Sequence, residues 1–341
     1  MGALKKKTGV AYAVNAVLVV ILFVVLLVLI DSGTLNRYNT TIITNLCINV
    51  ILAVSLNLVT GILGQLVLGH AGFMLAGAYA AALFTKNLGL PLSISLPIGL
   101  VLGGLLAAVF GVVIGIPALR LRGDYLAIIT LGFGEIIRVV SINLKITNGA
   151  MGLGGIGSLQ SRDNPAGMFI YAFIIAALLI FLSFTFGRSR HGRAVISIRE
   201  DEIASESMGI NTTYYKLFAF VLAAFFAGVA GGLAAHQTGM IDPSKYDFNR
   251  SVEILIMVVL GGMGSITGSV ISASVLTLLP EMLRDFNQYR MLVYSVILIL
   301  VMLFKPTGLL GRYEISIPGL ARKCLHFVRN RRSGKAPKGE A

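Results

Sequence analysis

Glu135 and Arg138 stand three residues apart inside an otherwise apolar stretch. That spacing puts them on one helix face, where a carboxylate and a guanidinium could pair. Ionisable residues at membrane depth are costly and mark ion or substrate pathways. The competing reading is an internal ion pair that fixes helix packing. Gly132 and Gly134 sit just before them. A second polar group, Gln65 and His70, lies in a run that also holds Gly61, Gly64, Gly69, Gly72 and Gly77. Non-helical backbone inside a bilayer is tolerated only where it is buried in protein or lines a watery cavity. The two clusters therefore make Gln65, His70, Gly72, Gly132, Gly134, Glu135 and Arg138 candidates for a translocation pathway. His70 reads first as a hydrogen-bonded packing residue and second as a ligand or proton relay.

No catalytic set accompanies them. The histidines, at 70, 191, 236 and 326, are scattered without metal-ligand spacing, so neither a catalytic residue nor a metal site is assigned. Residues 152–157, Gly-Leu-Gly-Gly-Ile-Gly, match G-x-G-x-x-G. No strand pattern leads into them and no acidic residue follows at about 20 positions, so a dinucleotide site is not assigned. Nothing matches G-x-x-x-x-G-K-[ST]; Gly187 to Gly192 fails because Arg193 follows. The chain reads as no enzyme, without an ATP site of its own.

The elements that must hold these residues are membrane helices. Hydrophobic residues make up 56% of the 341 and charged ones 13%, with a mean hydropathy of +0.86. An ordinary soluble domain carries about 25% charged residues. This composition excludes a soluble globule, a disordered chain and a disulfide scaffold. Cys47, in an apolar run, and Cys324, in a basic tail, read as free thiols. A span needs about 20 apolar residues. The run Val10–Ile30 follows Lys5, Lys6 and Lys7 and reads as a retained anchor, being too long for a signal-peptide core. Further spans are predicted at 42–60, 66–85, 94–116, 125–143, 168–186, 217–238 and 290–304. A longer stretch, 252–280, is interrupted by Gly261-Gly262-Met263-Gly264 and predicts a hairpin, either re-entrant or a pair of short spans. Gly111 with Gly115, and Gly228 with Gly232, have the GxxxG spacing of close helix packing.

The expected fold is an all-α integral membrane protein, a polytopic helix bundle of about eight full spans plus the 252–280 hairpin. The charge distribution orients it. With the N-terminus inside and an even number of crossings, inside segments hold 19 Lys and Arg and outside segments eight. Cationic loops stay cytoplasmic, so both termini are expected inside. The domains are then a short N-tail over 1–9, a permease domain over 10–304 and a basic C-tail over 305–341. The net charge of +13 becomes an orientation signal facing anionic lipid, not a nucleic-acid surface.

The longest inside loop, 187–216, mixes cations with Glu200, Asp201 and Glu202. Ser197 and Glu200 have capping-box spacing, and Gly209 is a natural stop. A short helix is predicted near 198–208, with Ile203, Ala204 and Met208 available to a cytoplasmic partner.

Here the chain resembles a known family. The segment GRAVISIREDEIASESMGINTTYYKLFAFVLAAFFAGVAGGL is similar to the cytoplasmic-loop signature of permease subunits in ABC importers, of the branched-chain amino acid (LivM-like) type. The resemblance extends through residues 64–83, 123–140, 147–157, 252–273 and 305–311. It implies that Glu202, Ala204, Ser205, Glu206 and Gly209 form the segment that docks on a separate ATP-hydrolysing subunit, although the EAA…G pattern of importers is matched loosely. It also implies ATP and Mg on that subunit and none in this chain, a second homologous permease, and an extracytoplasmic substrate-binding protein. The location it implies is a cytoplasmic (inner) membrane. Branched-chain amino acids are the implied substrates, with urea or short amides the alternative inside the family. A self-contained secondary transporter or channel is the alternative outside it, with Glu135 as a proton carrier.

Overall fold

The computed structural model describes residues 2–314 other than 90, 122, 161–163, 285–288, 290, 291, 294, 297, 298, 300–302, 306, 307, 312 and 313. The predicted span at 290–304 and the basic tail fall largely outside the described residues, as do Cys324 and His326. The aliphatic runs become helices in sequence order. They are α1 (Gly2–Asp31), α2 (Arg37–Asn57), α3 (His70–Asn87), α4 (Leu92–Ala118), α5 (Asp124–Asn143) and α6 (Gly167–Arg188). Two shorter helices, α7 (Arg190–Glu200) and α8 (Glu202–Ser207), precede α9 (Thr212–Thr238), α10 (Phe248–Gly261) and α11 (Ile266–Met282). The one described sheet is a two-residue ladder, β1 (Leu153–Gly154) antiparallel to β2 (Met240–Ile241).

Among the described residues, five helical stretches are long and apolar enough to cross a membrane: Arg37–Leu63, Leu92–Ala118, Asp124–Asn143, Gly167–Arg188 and Thr212–Thr238. The chain is a nearly all-α, multi-pass membrane protein. The stretch Arg37–Leu63 is the axis of the bundle, its most apolar window 94% buried. Around it stand α6, α9, α10 and α11. Helices α3, α4 and α9 form a second tight group. In lipid no hydrophobic force drives helices together, so close contact between small residues must do it. A Cβ on Gly103 would stand 2.6 Å from the Gly77 carbonyl oxygen, and one on Gly228 2.7 Å from the Gly103 oxygen. The two GxxxG pairs also serve this group: Gly111 lies against Ala224, Gly115 against Leu217 and Gly232 against Leu100.

Two places depart from regular helix. After Asn57 the axis helix widens into a six-residue π-helical turn, Leu58–Leu63, and residues 64–69 are irregular. The predicted span at 66–85 is therefore a break followed by α3. The stretch 252–280 is two helices, α10 and α11, joined by a reversal of the chain. Gly262 and Gly264 take φ of +106° and +93°, a region that disfavours side chains, which reverses the chain between α10 and α11. Ser265 then caps α11 by accepting from the Gly268 N–H at 3.0 Å.

Candidate functional site

The polar residues at depth gather where α3 begins. His70 is buried, and its Nε2 lies 2.9 Å from the Ser55 hydroxyl of α2. The neighbouring Ala71 N–H donates to Ser251 Oγ of α10 at 3.2 Å, and the Leu68 N–H to Thr130 Oγ1 of α5 at 3.2 Å. The break before α3 is thus tied to three helices by hydroxyls. The Gln65 Oε1 and Thr60 Oγ1 atoms are buried without a hydrogen-bond partner among the described residues. Gly72 faces Gly134 backbone to backbone, and Gly134 in turn faces Gly69. Three of the candidate glycines therefore have different surroundings: Gly72 and Gly134 make the α3–α5 crossing, while Gly132 has open space around it.

Glu135 and Arg138 pair at 2.7 Å, each about one-third exposed or less. They border the uncovered face of α5, which shows Tyr125, Ile128, Ile136 and Val139. A partly exposed ion pair on a face this apolar has either lipid or another protein surface beside it.

The loop 187–216 folds differently from its predicted capping. Ser197 is inside α7, its hydroxyl donating to the Ala194 carbonyl at 2.8 Å, so the Ser197–Glu200 box does not form. The helix ends instead at Asp201, in extended backbone, whose carboxylate accepts from the Ala204 N–H at 3.0 Å and starts α8. An aspartate captures a free N–H two or three residues on, and that local bond competes with helix continuation. Ser189 caps α7 in the same way through Gly192. The stop at Gly209 is as predicted: φ is +81°, Gly209 N–H donates to Glu206 O and Ile210 N–H to Ser205 O.

The predicted coupling residues divide by direction. Glu202 pairs at 2.7 Å with the buried Lys216 of α9, and Ser205 is buried with its hydroxyl on the Asp201 carbonyl. Ala204, Glu206 and Gly209 are exposed, together with Ile203 and Met208 at 67% and 82%. Five of these seven positions are thus exposed, on or just after a short helix with two fixed ends. Sequence reasoning missed what anchors it: Arg199 of α7 donates to the Gly61 carbonyl at 2.8 Å, and no local pattern links positions 138 residues apart.

At the opposite end of the axis helix, the loops 147–167 and 239–250 are one unit. The β1–β2 ladder joins them, Ile156 N–H donates to Gly239 O, and Gln237 Nε2 donates to Gln160 Oε1 at 2.9 Å. The glycines of 152–157 serve this ladder. Gly152 has φ +74°, its carbonyl accepting from Asn148 Nδ2 at 2.8 Å, and the next described helix begins only at Gly167. Beside the ladder opens a cavity of about 440 Å³ lined by Met74, Asp242, Lys245, Asp247, Arg250 and Glu253 among others. Hydrogen bonds from Ser244 hold the Asp242 carboxyl below the usual carboxylate range, and burial pushes the Tyr246 hydroxyl up to about 12. Among the described residues no group of three or more His, Cys, Asp and Glu could hold a metal.

Comparison with known proteins gives a consistent result. Residues 38–304 match the family described as "Branched-chain amino acid transport system / permease component". The protein is 40% identical over 303 residues to the high-affinity branched-chain amino acid transport system permease protein LivM of Salmonella typhimurium, covering 81% of this chain and 70% of that one. The same figures hold for LivM of Escherichia coli K12. LivH of Escherichia coli K12, another permease protein of that system, is 36% identical over 141 residues, covering 41% of this chain and 44% of its own. No solved structure matches the chain.

Proposed function

The chain belongs to the branched-chain amino acid transport permease family, and on that footing we propose that it is the permease subunit that forms part of the translocation pathway of an ABC importer for these amino acids. Its relatives are named as transport permeases, and it is a transport subunit, not an enzyme. ATP and Mg act on separate cytoplasmic subunits that dock on α8. A second, homologous permease completes the pathway, as the pairing of LivM and LivH names in one system supports. An extracytoplasmic binding protein delivers substrate to the end that carries the β1–β2 ladder. Both termini and the loop 187–216 face the cytoplasm, and the membrane is the cytoplasmic one.

The observation that carries this reading beyond family membership is α8. Its two ends are fixed by Asp201 and Gly209, while Ile203, Glu206 and Met208 are held out from the bundle. A connecting loop has no need of an apolar surface held at a set distance from the membrane, whereas a docking segment does. The loop and the ladder-joined cap lie at opposite ends of the axis helix, as an importer that receives substrate on one side and ATP-driven motion on the other requires.

Substrate competition tests the assignment. In proteoliposomes holding the complete importer, unlabelled isoleucine and valine should suppress uptake of radiolabelled leucine while urea and acetamide leave it unchanged. Uptake of urea with no uptake of leucine would replace the amino-acid assignment with the amide one.

A further inference from the structure

Arg199 is the next-to-last residue of α7, and its side chain is only 20% exposed. The guanidinium works in two directions. Nε and Nη2 both donate to Glu200 Oε1, at 3.3 and 2.6 Å, at the junction where α7 gives way to α8. Nη1 donates the other way, to the Gly61 carbonyl at 2.8 Å. Gly61 belongs to the π-helical turn of the axis helix. Such turns are rare and recur at functional sites. The aliphatic stem of Arg199 lies on Gly64, where a Cβ would collide with Cγ and stand 2.9 Å from Cδ.

The same turn is held from a third side. Asn57 Nδ2 donates to the Ser265 carbonyl at 3.1 Å and its Oδ1 accepts from the Gly264 N–H at 2.9 Å, which ties the π-helical turn to the α10–α11 reversal. Glu314 fastens that reversal by accepting from the N–H groups of Ile266 and Thr267, at 2.7 and 3.2 Å. Residues 64–69 then lead directly to His70 and to Gly72 on Gly134. A contiguous set of close contacts thus runs from the α7–α8 junction into the α3–α5 crossing. Coupling between distant sites is carried by contacts of this kind.

We propose that Arg199 is a positioning residue for transport. It carries movement of the α8 segment into the π-helical turn of α2, and through it to the α10–α11 reversal and the start of α3. The proposal rests on α8 being the ATPase-docking segment. The planar fork is what lets one side chain hold Glu200 and Gly61 together; a lysine is a point charge on a flexible stem and cannot hold both.

The test is the ratio of leucine taken up to ATP hydrolysed in proteoliposomes of the complete importer supplied with loaded binding protein. Arg199→Gln and Arg199→Lys are both expected to assemble and to keep basal ATP hydrolysis, while uptake per ATP falls about tenfold, inside the range of about 5- to 150-fold common for coupled sites. Glu200→Ala, at a side chain 58% exposed, should lower the ratio in the same direction without unfolding the loop. An unchanged ratio in Arg199→Gln overturns the proposal. So does full recovery in Arg199→Lys, which would make charge and not the fork the relevant property. Failure of all three variants to assemble also overturns it, since Arg199 would then serve only to hold the loop. A wild-type complex that takes up no leucine with ATP refutes the importer reading instead, and that result is read before any variant is compared.

Discussion

Adding a single methyl group at Gly72 should separate two helices that adding one at Gly132 would leave in place. A Cβ on Gly72 stands 2.6 Å from Gly134 Cα, 3.2 Å from its oxygen and 3.3 Å from its carbonyl carbon. Carbon atoms rest at about 3.5–4.0 Å, so α3 and α5 must part by about 1 Å. The opposing atoms are all backbone, so no side-chain rotation relieves the contact. Overpacking of this kind costs about 1–3 kcal/mol. Alanine returns about 0.5–1 kcal/mol through its better helix propensity, which leaves a net loss of about 1 kcal/mol at the middle of these ranges and about 2.5 kcal/mol at most. Gly132 lies on the same helix as Gly134, two residues away, with nothing within 4 Å of its would-be Cβ. Gly132→Ala should therefore gain the propensity term alone, about 0.5–1 kcal/mol. The assay is thermal unfolding of the purified protein in detergent, with both variants run beside wild type. The predicted order of apparent Tm is Gly72→Ala, wild type, Gly132→Ala, from lowest to highest. A Gly72→Ala protein as stable as wild type, or a Gly132→Ala protein as unstable as Gly72→Ala, would refute the assignment of these two glycines to packing and to open space.

Glu202→Ala should destabilise the protein by about 3 kcal/mol, the low end for breaking a buried pair because Glu202 is partly exposed, whereas Glu206→Ala should be close to neutral; their unfolding temperatures decide it. Gly209→Leu must force an L residue into left-handed backbone, at a cost of about 1–2 kcal/mol, and Glu206→Lys inverts a charge on the outward surface of α8. Each should lower transport-coupled ATP hydrolysis while membrane insertion, followed by protease protection, stays intact. Burial raises the Tyr246 hydroxyl from 10.0 to about 12. The stability that goes with this shift is present below pH 10.0 and is lost as pH climbs through about 12. Alkaline titration of tyrosinate absorbance should show a late component that Tyr246→Phe removes. A cysteine at position 333 should be reached by a membrane-impermeant thiol reagent only in inverted vesicles, and labelling in intact cells would overturn the cytoplasmic C-terminus.

Most spans were legible because a run of some 20 aliphatic residues leaves helix as the one backbone state that satisfies every N–H and C=O in lipid. Predicted 94–116, 125–143 and 168–186 fall inside Leu92–Ala118, Asp124–Asn143 and Gly167–Arg188. The start of α9 was missed by five residues, 217 against Thr212, because Asn211 caps a polar turn that hydropathy does not register. The break at 64–69 was legible in part, since the glycine-rich run 61–77 pointed to non-helical backbone while hydropathy still drew a span from 66. Its widening turn is matched by Asn57 to Gly264 and Ser265, more than 200 positions away, and such pairings leave no local trace. Capping was half readable. Gly209 stands out because its conformation demands glycine, but the cap predicted at Ser197 gave way to Asp201 four residues on, whose carboxylate captures the Ala204 N–H. Composition singled out His70, Gly72 and Gly134, which the fold brings together around the α3 start. It could not tell a glycine that admits a neighbouring backbone from one, like Gly132, that faces open space.

The central claim is that transport through this chain is driven by ATP on another subunit. It is tested most directly by reconstituting the chain with its ATPase and permease partners in proteoliposomes, with loaded binding protein outside and ATP inside. Leucine uptake should appear with ATP, vanish when a non-hydrolysable analogue replaces it, and be indifferent to dissipation of proton and sodium gradients. Uptake by the chain that follows an ion gradient and needs no ATP would contradict the account.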